Sequence, residues 1–266
     1  MSTATQPAAT LDVSGTSRIP FSTLTKVELR KSYDTRAGLW LLMITAALAT
    51  IAMLLVLIIV VVQDGQISLG DFVATTAYSS SILLPVLGIL LVTSEWSQRT
   101  AMVTFTLEPH RGRVIGAKLV AGLLLAGAVA LVAIVAALVA NLLYAVLQGS
   151  PDWEFGWLPF VGFLVSQAIA MMTGFAFAAL FLNSPIAIVV YFAYAWVLPA
   201  IFAVAAQFIG WFGDLQPWID FTAAQGPMLE GKMQGEDWPH LLVSGFIWFV
   251  IPFALGMWRI LRAELK

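Results

Sequence analysis

The chain has 266 residues, of which 60% are hydrophobic and only 11% are charged. Once several membrane-spanning helices are placed, this length leaves almost no room for a soluble domain, so any large catalytic domain must be supplied by another chain. The sequence contains no cysteine, which excludes disulfides, thiol catalysis and thiolate metal sites. Its net charge of −2 says little by itself, but the charges are unevenly distributed along the chain.

The N-terminal residues Met1 to Ser17 are rich in Ser, Thr, Ala and Pro and contain no apolar run. They lack the basic start and the hydrophobic region of a cleavable signal. This composition is typical of disorder. We therefore predict a disordered cytoplasmic tail over residues 1–19, followed by one transmembrane domain over residues 20–266.

The character of the sequence changes at Pro20, where an amphipathic segment begins. Thr25 and Glu28 resemble a capping box. The apolar residues Phe21, Leu24 and Val27 recur at helical spacing. The basic residues Lys26, Arg30 and Lys31 form another face. This pattern predicts an elbow helix lying on the inner leaflet before the first span. The alternative is an ordinary basic stretch that only sets the topology.

Six uncharged apolar segments are long enough to cross a bilayer, whose hydrocarbon core needs roughly 20 residues per helix. The tight-turn signal Asn183-Ser184-Pro185 separates the fourth segment from the fifth. The predicted spans are residues 38–62, 72–94, 119–148, 157–182, 186–212 and 241–258. These segments predict an all-α polytopic membrane protein with six transmembrane helices.

The distribution of charge predicts the orientation of these spans. Of the 13 Lys and Arg residues, all except Lys232 fall in the N-terminal segment, in the loop from Arg99 to Lys118, or near the C-terminus. The other connections instead carry nine acids: Asp64, Asp71, Asp152, Glu154, Asp214, Asp220, Glu230, Glu236 and Asp237. Because cytoplasmic loops are enriched in Lys and Arg, both termini are predicted to be cytoplasmic in a multi-pass inner-membrane protein.

The predicted spans contain no Asp, Glu, Lys, Arg or His. Proton-driven antiport and catalysis within the membrane normally need acids, histidines or an activated serine there, so both are disfavoured. The two histidines, His110 and His240, have no metal-ligand spacing to another ligand. No metal site is predicted.

Uncharged polar residues do occur in the spans, most densely over positions 75–81. Small hydroxylated residues often serve helix packing alone, which is one explanation. The other is a weakly polar path for an amphiphilic or lipid-like cargo. The candidates for such a path are Thr75, Tyr78, Ser79, Ser81, Asn141 and Gln207.

The loop after the second span predicts a short cytoplasmic helix. Ser94 is a possible cap, Glu95 and Arg99 are spaced to pair at i,i+4, and Pro109 ends the helix. Apolar side chains lie on more than one face of it: Trp96, Val103 and Leu107 on one stripe, Met102 and Phe105 elsewhere. Such a surface suits a partner protein. The alternative is an extension of the second span.

The longest outer connection runs from Gly210 to His240 and is rich in aromatic residues, with Trp211, Trp218 and Phe221 as a candidate outer gate. Pro217 is placed to begin a short helix that continues to Ala224. An aromatic loop resting on lipid headgroups without a gating role is the alternative.

Taken together, the elbow segment, the six spans and the loop motif resemble the membrane subunits of ATP-driven exporters, the ABC-2 type permeases. The loop motif runs from Glu95-Trp96 through Arg99-Thr100-Ala101 to Pro109-x-Arg111 and Lys118. The resemblance implies that this loop is the coupling helix that seats in an ATPase cleft, with Glu95, Trp96, Arg99, Thr100, Ala101, Met102, Phe105, Glu108 and Pro109 as its candidate residues. It also implies short outer helices that dip into the outer leaflet.

The chain has no Gly-x-x-x-x-Gly-Lys-Ser/Thr loop, so ATP would be hydrolysed by another protein. The resemblance implies two copies of a separately encoded ATPase that hold ATP and Mg, and a second permease chain in a homodimer or heterodimer. This chain is then a non-enzymatic transport subunit that contacts membrane lipid but no nucleic acid, and it binds no cofactor itself. The alternatives are a membrane sensor or immunity protein, an integral-membrane enzyme, and a secondary transporter that coordinates Na⁺ through backbone carbonyls.

Overall fold

The structure is a computed structural model that describes residues 18–98, 100–149 and 151–262. In those ranges the regular structure is entirely helical, without a β-strand. Six helical segments are long and apolar enough to cross a membrane. These observations confirm the prediction of an all-α, multi-pass membrane protein with six candidate spans.

The described helices follow one another with short connections. In chain order they are α1 (Phe21–Asp34), α2 (Arg36–Val62), α3 (Leu69–Ser97), α4 (Ala101–Leu107), α5 (Arg111–Gln148), α6 (Trp157–Phe181), α7 (Ser184–Phe192), α8 (Leu198–Phe208), α9 (Gly210–Ile219), α10 (Phe221–Ala224), α11 (Gly226–Leu229), α12 (Asp237–Gly245) and α13 (Ile251–Arg262). The candidate spans are α2, α3, α5 and α6, then α7 with α8, and α12 with α13. The fifth span ends at Phe208, four residues before the predicted boundary at 212.

The fifth and sixth spans each contain a π-helical turn, Ala193–Val197 and Phe246–Val250. A proline follows each turn within two residues, Pro199 in α8 and Pro252 in α13. Proline has no N–H to donate to the carbonyl four residues earlier, so the turn before it readily changes its hydrogen-bond pattern. The two turns lie against each other, because the rings of Tyr194 and Trp248 are in contact, with centroids 5.0 Å apart and planes tilted by 39°.

α3 and α6 pack closely against each other, and two glycines make this contact possible. A Cβ on Gly174 would lie 2.1 Å from the carbonyl oxygen of Pro85, and one on Gly88 would lie 2.5 Å from the carbonyl oxygen of Met171. Close backbone approach at small residues is the usual way in which helices pack in membranes. α3 and α6 therefore form the centre of the bundle.

The basic segments converge at one end of this bundle, which we call the basic end. Arg111 donates to the carbonyl of Ile260 near the end of α13, and Arg113 donates to the carbonyl of Ile19 before α1. At the opposite end, the connections that carry acids meet one another. There the Leu69 N–H donates to Asp152, and the Tyr144 hydroxyl donates to Gly65. The charge separation seen along the sequence is thus a separation in space.

Candidate functional site

Four charged side chains from α1, α3 and α5 meet at the basic end: Glu28, Lys31, Glu95 and Lys118, here called the charge cluster. Lys118 Nζ lies 2.6 Å from Glu28 Oε2 and 3.2 Å from Glu95 Oε1. Lys31 Nζ lies 2.7 Å from Glu28 Oε1 and 2.9 Å from Glu95 Oε1. The side chains of Glu28, Glu95 and Lys118 are at most 5% exposed. Two carboxylates and two ammonium groups balance, as buried charges require.

The charge cluster corrects two predictions. Glu95 was expected on a surface helix, paired with Arg99, and the predicted spans held no ionisable residue. In the structure α3 continues to Ser97 and α5 already begins at Arg111, so Glu95 and Lys118 both belong to span helices and are buried. Arg99 lies outside the described residues. Sequence spacing suggested only Arg99 as a partner of Glu95, because Lys118 is brought to Glu95 by helix packing.

The apparent capping box of Thr25 and Glu28 lies inside α1, and this changes the role of these polar residues. The helix begins at Phe21 after Pro20, so Thr25 and Glu28 are not a capping box; instead the Thr25 hydroxyl donates to the carbonyl of Phe21. Thr25 and Glu28 form the buried face. The predicted apolar and basic residues mostly point away from the protein: Phe21, Val27, Lys26 and Arg30 are exposed, and Leu24 is half-buried.

Lys31 differs from the other basic residues of α1, because it is half-buried and holds both carboxylates of the charge cluster. Burial lowers its pKa, but the hydrogen bonds and charges of Glu28 and Glu95 outweigh burial and leave the pKa above its ordinary value. Lys31 therefore remains charged at physiological pH and ties α1 to the end of α3.

The helix predicted from Glu95 to Pro109 is broken into two. Glu95 and Trp96 end α3, and α4 is a separate helix of seven residues, Ala101–Leu107. Thr100 precedes α4, Pro109 follows it, and both are exposed. The predicted continuous stripe is therefore wrong, since Trp96 belongs to α3 whereas Val103 and Leu107 belong to α4.

α4 has a buried face and an exposed face. Ala101 and Phe105 are buried, and the Phe105 ring meets Trp96 edge-on at 6.2 Å with the Arg111 guanidinium 5.2 Å above it. The opposite face presents three apolar side chains, each more than half exposed: Met102 at 53%, Val103 at 61% and Leu107 at 71%. Of the apolar residues predicted to dock a partner, Phe105 and Trp96 hold α4 in place instead.

Two polar contacts fix α4 to the rest of the basic end. The Thr104 hydroxyl donates to Glu95 Oε1 at 3.1 Å, which joins α4 to the charge cluster. Glu108, directly after α4, accepts from Arg113 at 2.5 Å and from the His110 N–H at 3.3 Å. Burial raises the pKa of Glu108, but the bonds from His110 and the charge of Arg113 outweigh burial, so the pKa lies below its ordinary value.

A second site lies deeper in the bundle, where α3 and α6 meet α7 and the π-helical turn. It is a cavity of about 280 Å³ whose polar lining is uncharged, here called the neutral cavity. Its polar and aromatic lining comprises Tyr78, Ser81, Ser166, Gln167, Thr173, Tyr191, Tyr194, Trp196, Thr222 and Gln225. Neutral hydrogen-bonding groups beside aromatic rings are typical of pockets for uncharged or amphiphilic ligands.

Only Tyr78 and Ser81 of the six predicted path residues line the neutral cavity. Thr75 and Ser79 donate to backbone carbonyls of their own helix, at Asp71 and Thr75 respectively. The other two residues lie apart from the cavity. Asn141 is fully buried and donates to the carbonyl of Asp152. Gln207 is exposed on α8. Hydrogen bonding to the backbone and helix packing account for Thr75, Ser79 and Asn141.

The proline in α3 explains part of the geometry of the neutral cavity. Pro85 has no N–H, so it leaves the carbonyl of Ser81 without its helical donor, and the Tyr191 hydroxyl donates to that carbonyl at 3.0 Å. Next to it, the Ser80 hydroxyl donates to Gln167 Oε1 at 2.9 Å. A proline four residues after a serine, followed by tyrosines in a later span, was the available sequence signal for this site.

The connection between the fifth and sixth spans covers the neutral cavity from the opposite end. Pro217 lies inside α9 and does not begin a helix, because the short helix after it, α10, starts at Phe221 and is capped by Asp220. Phe221 is buried against Gly245, whereas Trp211 is 67% exposed. Trp218 is also exposed and meets the His240 ring edge-on. The three predicted gate residues therefore do not share one surface.

Within residues 18–98, 100–149 and 151–262, no three His, Asp or Glu side chains are grouped so that they could hold a metal ion. Comparison with known proteins adds no assignment: no protein-family model matches the chain, and no curated protein matches it. The interpretation of the two sites therefore depends on their geometry and chemistry.

Proposed function

We propose that this chain is the membrane subunit of an ATP-driven exporter of the ABC-2 type, with its basic end in the cytoplasm. In this proposal it moves a hydrophobic or amphiphilic substrate across the cytoplasmic membrane. The observation that carries the proposal is α4, a short helix that directly follows a span and exposes Met102, Val103 and Leu107. An exposed apolar face on a firmly held helix favours docking to a partner protein.

The attachment of α4 explains how such docking would act on the spans. Its buried face packs on Trp96 at the end of α3, and Thr104 bonds to Glu95 of the charge cluster. A partner that pushes on α4 would therefore move α3, α5 and α1 together, because the charge cluster joins them. Coupling of this kind needs a contiguous element that moves as one unit, and α4 and the charge cluster are joined in that way.

The partner in this proposal is a separately encoded ATPase subunit, present in two copies, and a second permease chain completes the transporter. ATP and Mg belong to the ATPase, since the sequence has no phosphate-binding glycine loop. The neutral cavity serves as a cargo subsite. The uncharged hydrogen-bonding groups and aromatic rings that line this cavity, the tyrosines among them, suit an amphiphile without net charge.

The first test is the neighbouring gene, which should encode an ATPase with a phosphate-binding glycine loop. The two proteins are then co-expressed, and the yield of ATPase purified with tagged permease is measured at equal permease expression. Met102→Asp places a charge on the exposed face of α4 and should reduce the ATPase yield by about tenfold or more, because burying an unpaired charge in an interface costs several kcal/mol.

Tyr33→Asp is the matched control, since Tyr33 is a large exposed residue of the same end that lies on α1 and not on α4. This variant should retain the ATPase. If Met102→Asp, Val103→Asp and Leu107→Asp all keep wild-type ATPase yield and ATP-dependent efflux, α4 is not the coupling element and the exporter assignment fails.

A further inference from the structure

A second cavity, separate from the neutral cavity, lies at the basic end between α1, α3, α4 and α5. Its volume is about 640 Å³, within the range of pockets that bind small molecules and lipids. Its walls are mostly apolar, with Leu24, Val27, Leu87, Leu90, Val103 and Leu107 among the lining residues. Because Val103 and Leu107 are largely exposed, the cavity opens at the protein surface beside α4. We call it the basic-end cavity.

The polar wall of this cavity is made by three members of the charge cluster, Glu28, Lys31 and Glu95. Glu95 Oε1 accepts from Lys31 and Thr104, but the buried Oε2 has no hydrogen-bond partner among the described residues. A buried carboxylate oxygen without a donor is costly. An occupant of the cavity that donates a hydrogen bond would remove that cost.

Lys31 offers the complementary group. Its ammonium has three N–H donors, of which two are directed at Glu28 and Glu95, and its side chain is 41% exposed. The same wall therefore presents an unpaired acceptor on the Glu95 carboxylate and a remaining N–H donor on the Lys31 ammonium. The charge cluster has no net charge, so it does not favour a simple anion or a simple cation. A headgroup that carries both charges fits this wall.

We propose that the basic-end cavity binds a phospholipid whose headgroup carries a primary amine. The ammonium donates to the carboxylate of Glu95 and the phosphate accepts from Lys31. The acyl chains lie along Leu24, Leu87 and Leu90, which belong to α1 and α3 and not to the exposed face of α4. The cavity lies at the ends of membrane-spanning helices, where lipid headgroups are the most abundant amphiphiles. This assignment requires only that the chain spans a membrane, and it holds whether or not the chain is an exporter.

The test compares two lipids by native mass spectrometry of the full chain purified in detergent. Phosphatidylethanolamine and phosphatidylcholine with identical acyl chains share the phosphate, but only the first has N–H donors. If the ammonium bonds to Glu95, the wild-type chain should retain phosphatidylethanolamine with an affinity about tenfold higher or more, the scale of one hydrogen bond to a charged group.

Two variants locate the binding. Glu95→Gln places an amide, a donor, where the headgroup needs an acceptor, and should abolish the preference between the two lipids. Leu90→Trp fills the apolar part of the cavity without touching the charge cluster, and should reduce retention of both lipids by severalfold. Glu230→Gln changes an exposed carboxylate at the opposite end and should match the wild type.

Each outcome of these binding measurements either supports or overturns the lipid proposal. Equal retention of the two lipids by the wild-type chain overturns the proposal, as does wild-type retention of both lipids by Leu90→Trp. A preference for anionic phosphatidylglycerol over both lipids also overturns it, since general attraction to the basic surface would then explain the binding. If Glu95→Gln does not fold, the wild-type comparison and Leu90→Trp still decide. Failure of the ATPase co-purification described above would leave these results unaffected.

Discussion

The buried polar groups of the two cavities differ in kind. At the basic end they are charged and bond across three helices, as Lys118 does with Glu28 and Glu95. Around the neutral cavity they are uncharged, as in the contact between Ser80 and Gln167. The basic end is therefore held in one arrangement, whereas the neutral cavity can exchange its hydrogen bonds with those of a ligand at little cost in free energy.

The typical free energies of charged and neutral contacts support this comparison. Removing one partner of a buried ion pair typically costs about 3–5 kcal/mol, because the remaining charge is left unpaired. A neutral hydrogen bond is worth about 1 kcal/mol net. The basic end should therefore respond to single substitutions with a loss of stability, and the neutral cavity with a change in what it binds.

The largest effect is expected for Lys118→Met. This substitution keeps the length of the side chain but leaves Glu28 and Glu95 with Lys31 alone, so we expect destabilisation by about 3–5 kcal/mol. For a chain of this size that corresponds to a fall of roughly 10 °C in melting temperature. The measurement is thermal unfolding of the detergent-purified chain.

Lys232→Met is the control for Lys118→Met. Lys232 pairs with Glu230 at the opposite end, and its side chain is 73% exposed. Exposed pairs contribute about 0–1 kcal/mol, so this variant should melt close to the wild type. Equal melting temperatures for the two variants would contradict the view that the charge cluster holds the basic end together.

The next effect concerns the two faces of α4. Phe105→Asp removes a ring that packs on Trp96 and places a carboxylate in a buried site, which we expect to cost about 2–4 kcal/mol. The loss is smaller than for Lys118→Met, because α4 is a surface helix that can shift toward water. The measurement is again the melting temperature of the permease alone, without an ATPase.

Met102→Asp is the matched variant on the exposed face, and its melting temperature should differ little from that of the wild type, because surface substitutions usually change stability by less than about 0.5 kcal/mol. If Met102→Asp destabilises the isolated chain as much as Phe105→Asp does, α4 does not have the free face on which the docking proposal depends.

In the neutral cavity, Gln167→Leu should change stability by about 1 kcal/mol or less, since only its contact with Ser80 is lost. Because the amide also lines the cavity, we expect the relative efflux rates of apolar and hydroxylated test substrates to shift in favour of apolar ones. Gln207→Leu, on the exposed surface of α8, should leave this ratio unchanged. A shift caused equally by both variants would exclude the cavity as a cargo subsite.

The sequence was sufficient for the number of spans, because each is a long uncharged run between charged or turn-forming residues. It also located the break at Asn183, whose side chain caps α7 by accepting from the Ile186 N–H. Local signals of this kind act over a few residues and survive packing. The start of α1 shows the limit, since a helix that begins at Phe21 makes Thr25 an interior residue and removes the apparent capping box.

The charge cluster could not be predicted in the same way. Glu95 had a nearby candidate partner in Arg99, and nothing in the spacing indicated that Glu28 and Lys118, 90 residues apart, would bond. The two faces of α4 were also not predicted, since the packing of Phe105 against Trp96 determines which side chains face the protein. Long-range pairing and helix rotation are properties of packing, which a single sequence does not record.

The smallest expected effect is a loss of stability at acidic pH that depends on Glu108. The pKa of Glu108 is held below its ordinary value of 4.5, because the bonds from His110 and the charge of Arg113 outweigh burial. A carboxyl whose pKa is lowered on folding stabilises the fold above its unfolded pKa, and that contribution is lost as the pH falls through the folded pKa. Glu108→Gln removes this contribution, so the wild type should melt at a higher temperature than this variant at about pH 7, and the difference in melting temperature should narrow below about pH 4.

Melting curves of both proteins across this pH range check the effect, with Glu236→Gln as a control on an exposed carboxyl at the opposite end. A gap that stays constant with pH would mean that Glu108 stabilises the basic end through its shape and neutral hydrogen bonds, and that its charge is not what holds the residue after α4 in place.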